Sequence, residues 1–276
     1  MGKFLRKEIN DKLRMQIKRK EPIIIGGAGI GLIAKVVDRA GIDIIMAYNT
    51  GPFRMDGAAS LCGYLAYGDA NAITVDLGTK LLKVVENTPV IGGIGASDPY
   101  RDIPRLADQM IEMGFSGITN VPALGSYEGV IRDQIDALGC GVPEEIKMIA
   151  YCNEKDYFTI AYTFTEQDVR DFVNAGVDIV GIHVGGTMGG MIGSKTARSI
   201  DEACEMTQSY YEIAIRENPN VLVVTHGGPF EDPVSVKKVF EQTDVHGYIG
   251  ASSIERIPVE IAVTKVVKDF KSLRLR

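Results

Sequence analysis

Two of the three histidines stand in one local pattern, His183-Val-Gly-Gly186 and His226-Gly-Gly-Pro229. Imidazole is the side chain best able to exchange protons near neutral pH, and glycines beside it let backbone approach a ligand closely. The pattern suggests acid–base chemistry, with His183 and His226 as catalytic residues. Two other readings fit the same residues: buried histidines bonded to backbone, or a two-histidine metal site whose third ligand no spacing fixes. His246 begins an apolar run instead of ending one, which assigns it a structural role.

A second signal is the set Gly227, Gly228, Gly250, Ser252 and Ser253. Small residues admit a ligand, serine hydroxyls donate, and a helix starting after Ser253 presents unpaired N–H groups that suit phosphate or carboxylate. The simpler reading is that one serine caps that helix. The Gly-rich segment 185–193 reads as a long flexible loop and a mobile cover, and Ser194-Lys-Thr196 at its far end carries a cation that reads as solvated or as able to fold over the site.

These residues need elements to hold them. Short apolar runs at 22–25, 43–47, 89–94, 117–120, 158–163 and 178–184, then after Asn220 and after His246, alternate with segments of helical spacing. Uniformly apolar strands separated by helices are what a parallel sheet with a covered face requires. Ala40-Gly-Ile-Asp-Ile44 and Ala175-Gly-Val-Asp-Ile179 repeat a helix end turning into a strand. The expected fold is an α/β (β/α)8 TIM barrel, a single domain over 1–276 with residues 1–21 as a helical extension. A doubly wound open sheet is the alternative. Barrel chemistry gathers at the carboxyl ends of the strands. That places Gly27, Asn49, Asn120 and Gly185 among substrate contacts, Arg54 as a carboxylate clamp, and Asp98 as a metal ligand or an orienting group for a base.

Composition excludes several classes. A net charge of −6 and a pI near 5.2 provide no field for nucleic acid. The local basic run Lys3 to Lys20 reads as a solvated amphipathic helix. No apolar stretch is long enough for a membrane span, and four scattered cysteines fit a reduced, cytoplasmic protein. Gly27-x-Gly29-x-Gly31 misses the dinucleotide spacing at Leu32, and Tyr151-x-x-x-Lys155 lacks the serine that a reductase pattern needs.

The strings Ile25 to Ala34, Tyr48-Asn-Thr-Gly-Pro-Phe-Arg-Met-Asp-Gly57, Asn120-Val-Pro-Ala-Leu-Gly125, His183-Val-Gly-Gly186 and Thr225-His-Gly-Gly-Pro229 together resemble the phosphoenolpyruvate hydrolase-like TIM-barrel family. The family is also described as TIM-barrel signal-transduction proteins. The resemblance implies a TIM barrel related to the phosphoenolpyruvate/pyruvate superfamily, whose members commonly use Mg²⁺ to hold an enolate-forming substrate. A similar domain forms part of a plant viral-resistance protein. This chain departs from the superfamily pattern: Asn120 stands where an acid would help hold a cation, and no Lys-Cys-Gly-type loop is present. The expectation is an enzyme acting on a small phosphorylated or carboxylated enol or keto acid by hydrolysis or enolate chemistry. A non-catalytic ligand sensor or protein-binding barrel is the alternative. The apolar connection 52–69 is expected to cover the barrel mouth or join subunits of a homo-oligomer.

Overall fold

Eight parallel strands close on themselves in sequence order in the computed structural model, which describes residues 3–276. The elements are α1 (Arg6–Lys18), β1 (Ile23–Gly27), α2 (Gly31–Ala40), β2 (Ile44–Ala47), α3 (Thr50–Met55), α4 (Ala70–Leu81), β3 (Val90–Gly93), α5 (Ile103–Met113), β4 (Gly117–Thr119), α6 (Gly129–Ala137), α7 (Val142–Glu154), β5 (Phe158–Thr163), α8 (Glu166–Asn174), β6 (Ile179–His183), α9 (Ile200–Glu217), β7 (Leu222–His226), α10 (Pro233–Gln242), β8 (Gly247–Gly250) and α11 (Arg256–Ser272). Closure rests on β1 pairing with β8, Ile23 to Gly26 beside Gly247 to Gly250, which removes the open-sheet alternative. The fold is a (β/α)8 barrel.

Because side chains alternate across a strand, the closed sheet sorts them into two cores. Ile23, Ile25, Ile44, Met46, Ile91, Phe158, Ile160, Ile179, Leu222, Val224 and Ile249 fill the interior. The other parity, including Ile45, Val90, Ile118, Ala161, Val180 and Val223, packs outward against the helices. Local signals agree with this arrangement. Thr165 caps α8 reciprocally, its hydroxyl accepting from the Asp168 amide while the Asp168 carboxylate accepts from the Thr165 amide.

The basic N-terminal run is more than a solvated face. Ile9 and Leu13 of α1 are buried in the interior core. Arg6 pairs with Asp178 just before β6 at 2.9 Å, and Gln16 donates to Asp43 just before β2 at 2.9 Å. The helix therefore lies across the amino-terminal ends of the strands and plugs the barrel from below. Met1 and Gly2 lie outside the described residues.

At the other end of the chain, α11 buries only Arg256. Val259, Val263, Val266, Phe270 and Leu273 recur at alternating steps of four and three, and Val263, Val266, Phe270 and Leu273 are 56%, 50%, 69% and 69% exposed. That is one apolar stripe facing solvent.

Candidate functional site

The inward parity of each strand decides what reaches the upper rim. Counting by twos from Ile44, Phe158, Ile179 and Leu222 leads to Tyr48, Tyr162, His183 and His226. These four line one cavity of about 280 Å³ at the carboxyl ends of the strands. Thr50, Arg54, Ser60 and Tyr64 close one side, Gly186, Thr187 and Ile192 to Ser194 another, and Ser252 and Arg256 a third. The 52–69 connection thus covers the mouth, and the Tyr127 hydroxyl pins it by donating to the Tyr64 carbonyl at 2.6 Å.

His183 and His226 stand with ring centres 4.9 Å apart at an interplanar angle of 65°. Tyr162 lies 5.7 Å from the first ring and 5.1 Å from the second, and Phe164 stacks on His183 at 4.7 Å. Backbone contacts assign the tautomers. The Gly185 amide donates to His183 Nδ1 at 3.2 Å, which puts the proton of the neutral ring on Nε2. His226 Nδ1 lies 2.7 Å from the Ile249 carbonyl, an acceptor only, so this ring carries its proton on Nδ1 and leaves Nε2 bare. One imidazole offers a donor and its neighbour an acceptor. Burial, with Arg54's charge, pushes the His226 pKa down to about 4 against the bond to Ile249, and burial together with His226 holds His183 well below the ordinary value. Both rings are neutral at pH 7.

Arg54 does clamp a carboxylate, but an internal one. Its Nε donates to Glu255 Oε2 at 3.0 Å, and Nη1 donates to Thr50 Oγ1 at 3.0 Å and Ser60 Oγ at 3.2 Å. The other Glu255 oxygen accepts from the Gly29 amide. Nη2 lies 2.9 Å from Glu255 Oε2 as an ion pair and is buried without a hydrogen bond among the described residues. Burial alone would lower the guanidinium pKa; the Glu255 charge overrides it and raises it. Gly27 lies inside β1, not in the loop after it, and makes this corner possible. A Cβ there would fall 2.9 Å from the Tyr48 hydroxyl and 3.1 Å from Arg54 Nη2. Burial raises the phenol pKa values of both Tyr48 and Tyr162, so both remain protonated donors at neutral pH. Tyr162 Oη is also buried without a hydrogen-bond partner among the described residues.

Other expected site residues are placed elsewhere. Asp98 lies in a separate depression with Asp69, Asn71 and Arg101, accepting from Asn71 Nδ2 at 2.8 Å and paired with Arg101. Asn49 donates to the Gly63 carbonyl at 2.6 Å and holds the covering segment. Asn120 supports the site from behind: its Oδ1 accepts from the Tyr162 amide at 2.7 Å, and its Nδ2 donates to Glu145 at 2.7 Å. Burial lifts the Glu145 pKa to about 8 despite that bond and one from the Leu124 amide. Ser253 bonds the Tyr248 hydroxyl at 2.8 Å, and a Cβ on Gly250 would strike Ile254. Of the serine pair, Ser252 alone reaches the cavity.

The glycine loops are largely bonded to each other. Gly227 and Gly228 have φ of 87° and 55°, and the Gly228 amide donates to the Gly185 carbonyl at 2.8 Å. Ahead of α11, the amides of Ile254 and Glu255 donate to Ala251 and those of Arg256 and Ile257 to Ser252. The helix-start amides and that of Gly228 are therefore used within the protein, whereas the amides of Gly227, Ser252 and Ser253 have no hydrogen-bond acceptor among the described residues. The segment 185–193, expected as a mobile cover, is tied down: Arg256 donates to the Gly189 carbonyl at 3.1 Å, and the Met191 amide donates to Glu260 at 2.7 Å.

The donor set does not suit a hard divalent cation, which prefers several oxygen ligands. No carboxylate lines the cavity, and no group of three His, Cys, Asp or Glu among the described residues is arranged to hold a metal. No described helix is long and apolar enough to cross a membrane, and the four cysteines are free.

The chain is 39% identical over 268 residues to the ToMV susceptible protein tm-1(GCR26) of Solanum lycopersicum, covering 97% of this chain and 36% of that protein. It spans about a third of the length of that relative. Among solved structures, a phosphonopyruvate hydrolase complexed with oxalate and Mg²⁺ superposes with a TM-score of 0.62 at 18% identity, covering 95% of this chain and 87% of the other. An oxaloacetate acetylhydrolase complexed with 3,3-difluorooxalacetate superposes with a TM-score of 0.60 at 15% identity, covering 96% and 86%. The model of the phosphoenolpyruvate hydrolase-like family matches residues 8–273, nearly the whole sequence, and the chain belongs to that family.

Proposed function

We propose that this barrel is an enzyme acting on a small enol or keto acid by hydrolysis or enolate chemistry. The observation that carries this reading is the pair of neutral imidazoles, one donor and one acceptor, 4.9 Å apart in a small cavity. His226 Nε2 takes a proton from substrate or water, and His183 Nε2–H and the Tyr162 hydroxyl donate to the oxygen that gains charge. Arg54 Nη2, which makes no hydrogen bond within the protein, and the Tyr48 hydroxyl orient the acid group at Gly27. Asn120 keeps Tyr162 in place. Relatives of the same fold hold oxalate and 3,3-difluorooxalacetate, both small carboxylates.

A Mg²⁺-assisted route, as the ligands of the phosphonopyruvate hydrolase relative suggest, finds no matching oxygen ligands around this cavity. The steps above therefore rest on side chains alone. The decisive experiment is a panel of keto and enol acids followed by both thermal shift and product formation. Binding without turnover of any member would instead favour a ligand sensor. That second reading draws on the tomato relative, whose name describes a virus phenotype and no reaction. The solvent-facing stripe of α11 supports a homo-oligomer, with the stripe covered by a second copy.

A further inference from the structure

Formal charge around the cavity cancels. Four side chains account for it: Arg54 is balanced by Glu255 at 2.9 Å, and Arg256 by Glu260 at 2.8 Å. No lysine or carboxylate lines the cavity, and both imidazoles are neutral. A phosphorylated enol acid brings up to three negative charges, and burying charge without counter-charge costs several kcal/mol per ion, about the worth of the binding itself. Charged devices to meet such a load are few: among the described residues no group of three His, Cys, Asp or Glu is arranged to hold a cation, and the Gly228 amide and the amides of residues 254–257 are already bonded internally. The one guanidinium nitrogen without a hydrogen bond is Arg54 Nη2, beside the Tyr48 hydroxyl and the buried Tyr162 hydroxyl, and the rest of the polar lining is uncharged apart from the paired Arg256. Arg54 Nη2 with the Tyr48 hydroxyl beside it matches one carboxylate. The Tyr162 hydroxyl and the neutral His183 N–H match an uncharged carbonyl next to it.

We infer that the cavity takes a 2-oxo or 3-oxo monocarboxylate and discriminates against phosphorylated and phosphonylated analogues of the same carbon skeleton. This rests on the reading of the cavity as a small-acid site and narrows it. Discrimination comes from the counter-ions Glu255 and Glu260, which hold the two arginines at zero net charge and leave no cation free for a second anionic group.

Calorimetric titration of the full chain with pyruvate, acetoacetate, phosphoenolpyruvate and phosphonopyruvate, each with and without MgCl₂, tests this. The expected result is a monocarboxylate Kd at least about tenfold below that of the phosphorus compounds, unchanged by the metal. Glu260→Gln and Glu255→Gln each release one positive charge and should raise affinity for phosphonopyruvate more than for pyruvate. Glu260 sits at a partly exposed position, so its variant keeps the comparison available if Glu255→Gln does not fold. Equal or tighter binding of either phosphorus compound overturns the inference while leaving a small-acid site intact. Failure of every compound to bind overturns the small-acid reading and the inference together.

Discussion

Arg54 and Glu255 are separated by 201 residues and meet inside the barrel mouth, the side chains 2% and 0% exposed. Neither charge survives burial alone, and together they join the covering segment to the turn before α11. Glu255→Ala is expected to cost about 3–5 kcal/mol in urea denaturation. The Arg54→Met, Glu255→Leu double variant should lose less than the sum of the single losses, since it leaves no stranded charge.

The imidazole pair makes stability depend on mild acid. Burial depresses the folded-state pKa of His226 below the ordinary value, so the unfolded chain binds the proton more readily. The stabilising contribution is present above pH 6.5 and is lost as pH falls through the folded value of about 4, a loss on the order of 3 kcal/mol. His183 shifts in the same direction. Urea midpoints between pH 7 and pH 4.5 should fall in the parent protein and fall less in His226→Gln.

Turnover should follow the same two rings. His226→Ala and His183→Ala are each expected to lower kcat by about 10²- to 10⁴-fold on the acid that the panel identifies. Full activity in both variants would remove the acid–base assignment. Tyr162→Phe should lower kcat more than it raises KM, because its hydroxyl is assigned to the oxygen that gains charge.

A carboxylate arriving beside Arg54 brings a negative charge near His226 and should raise that ring's pKa. Net proton uptake on binding near pH 5 is the expected signature, read from calorimetry in buffers of different ionisation enthalpy. A proton count of zero at that pH would place the ligand away from the imidazoles.

The stripe on α11 should govern assembly. Light scattering is expected to report a homo-oligomer for the parent chain and a monomer for the Val263→Asp, Val266→Asp, Phe270→Asp variant. Monomeric parent protein at micromolar concentration would count against a second copy as the cover.

The alternation of elements was readable because each strand is a short apolar run and several helices carry strong ends, such as Thr165 before α8. Strand parity was not. Parallel strands are buried on both faces, so hydrophobicity does not tell Ile44 from Ile45, and Tyr48 and Tyr162 read as ordinary large residues. Counting by twos back from the two histidines gives the inward parity of β6 and β7, and the same step along β2 and β5 reaches both tyrosines. The Arg54–Glu255 partnership depends on barrel closure, which no local pattern carries. Asp98 lies past β3 in a separate depression paired with Arg101, and no local pattern tells which depression a loop carboxylate enters.

The stopper that α1 forms beneath the strands ties the approaches to β2 and β6 to one helix, through Gln16 to Asp43 and Arg6 to Asp178. Loss of that helix would therefore loosen the barrel floor at two places on opposite sides at once, far from the mouth.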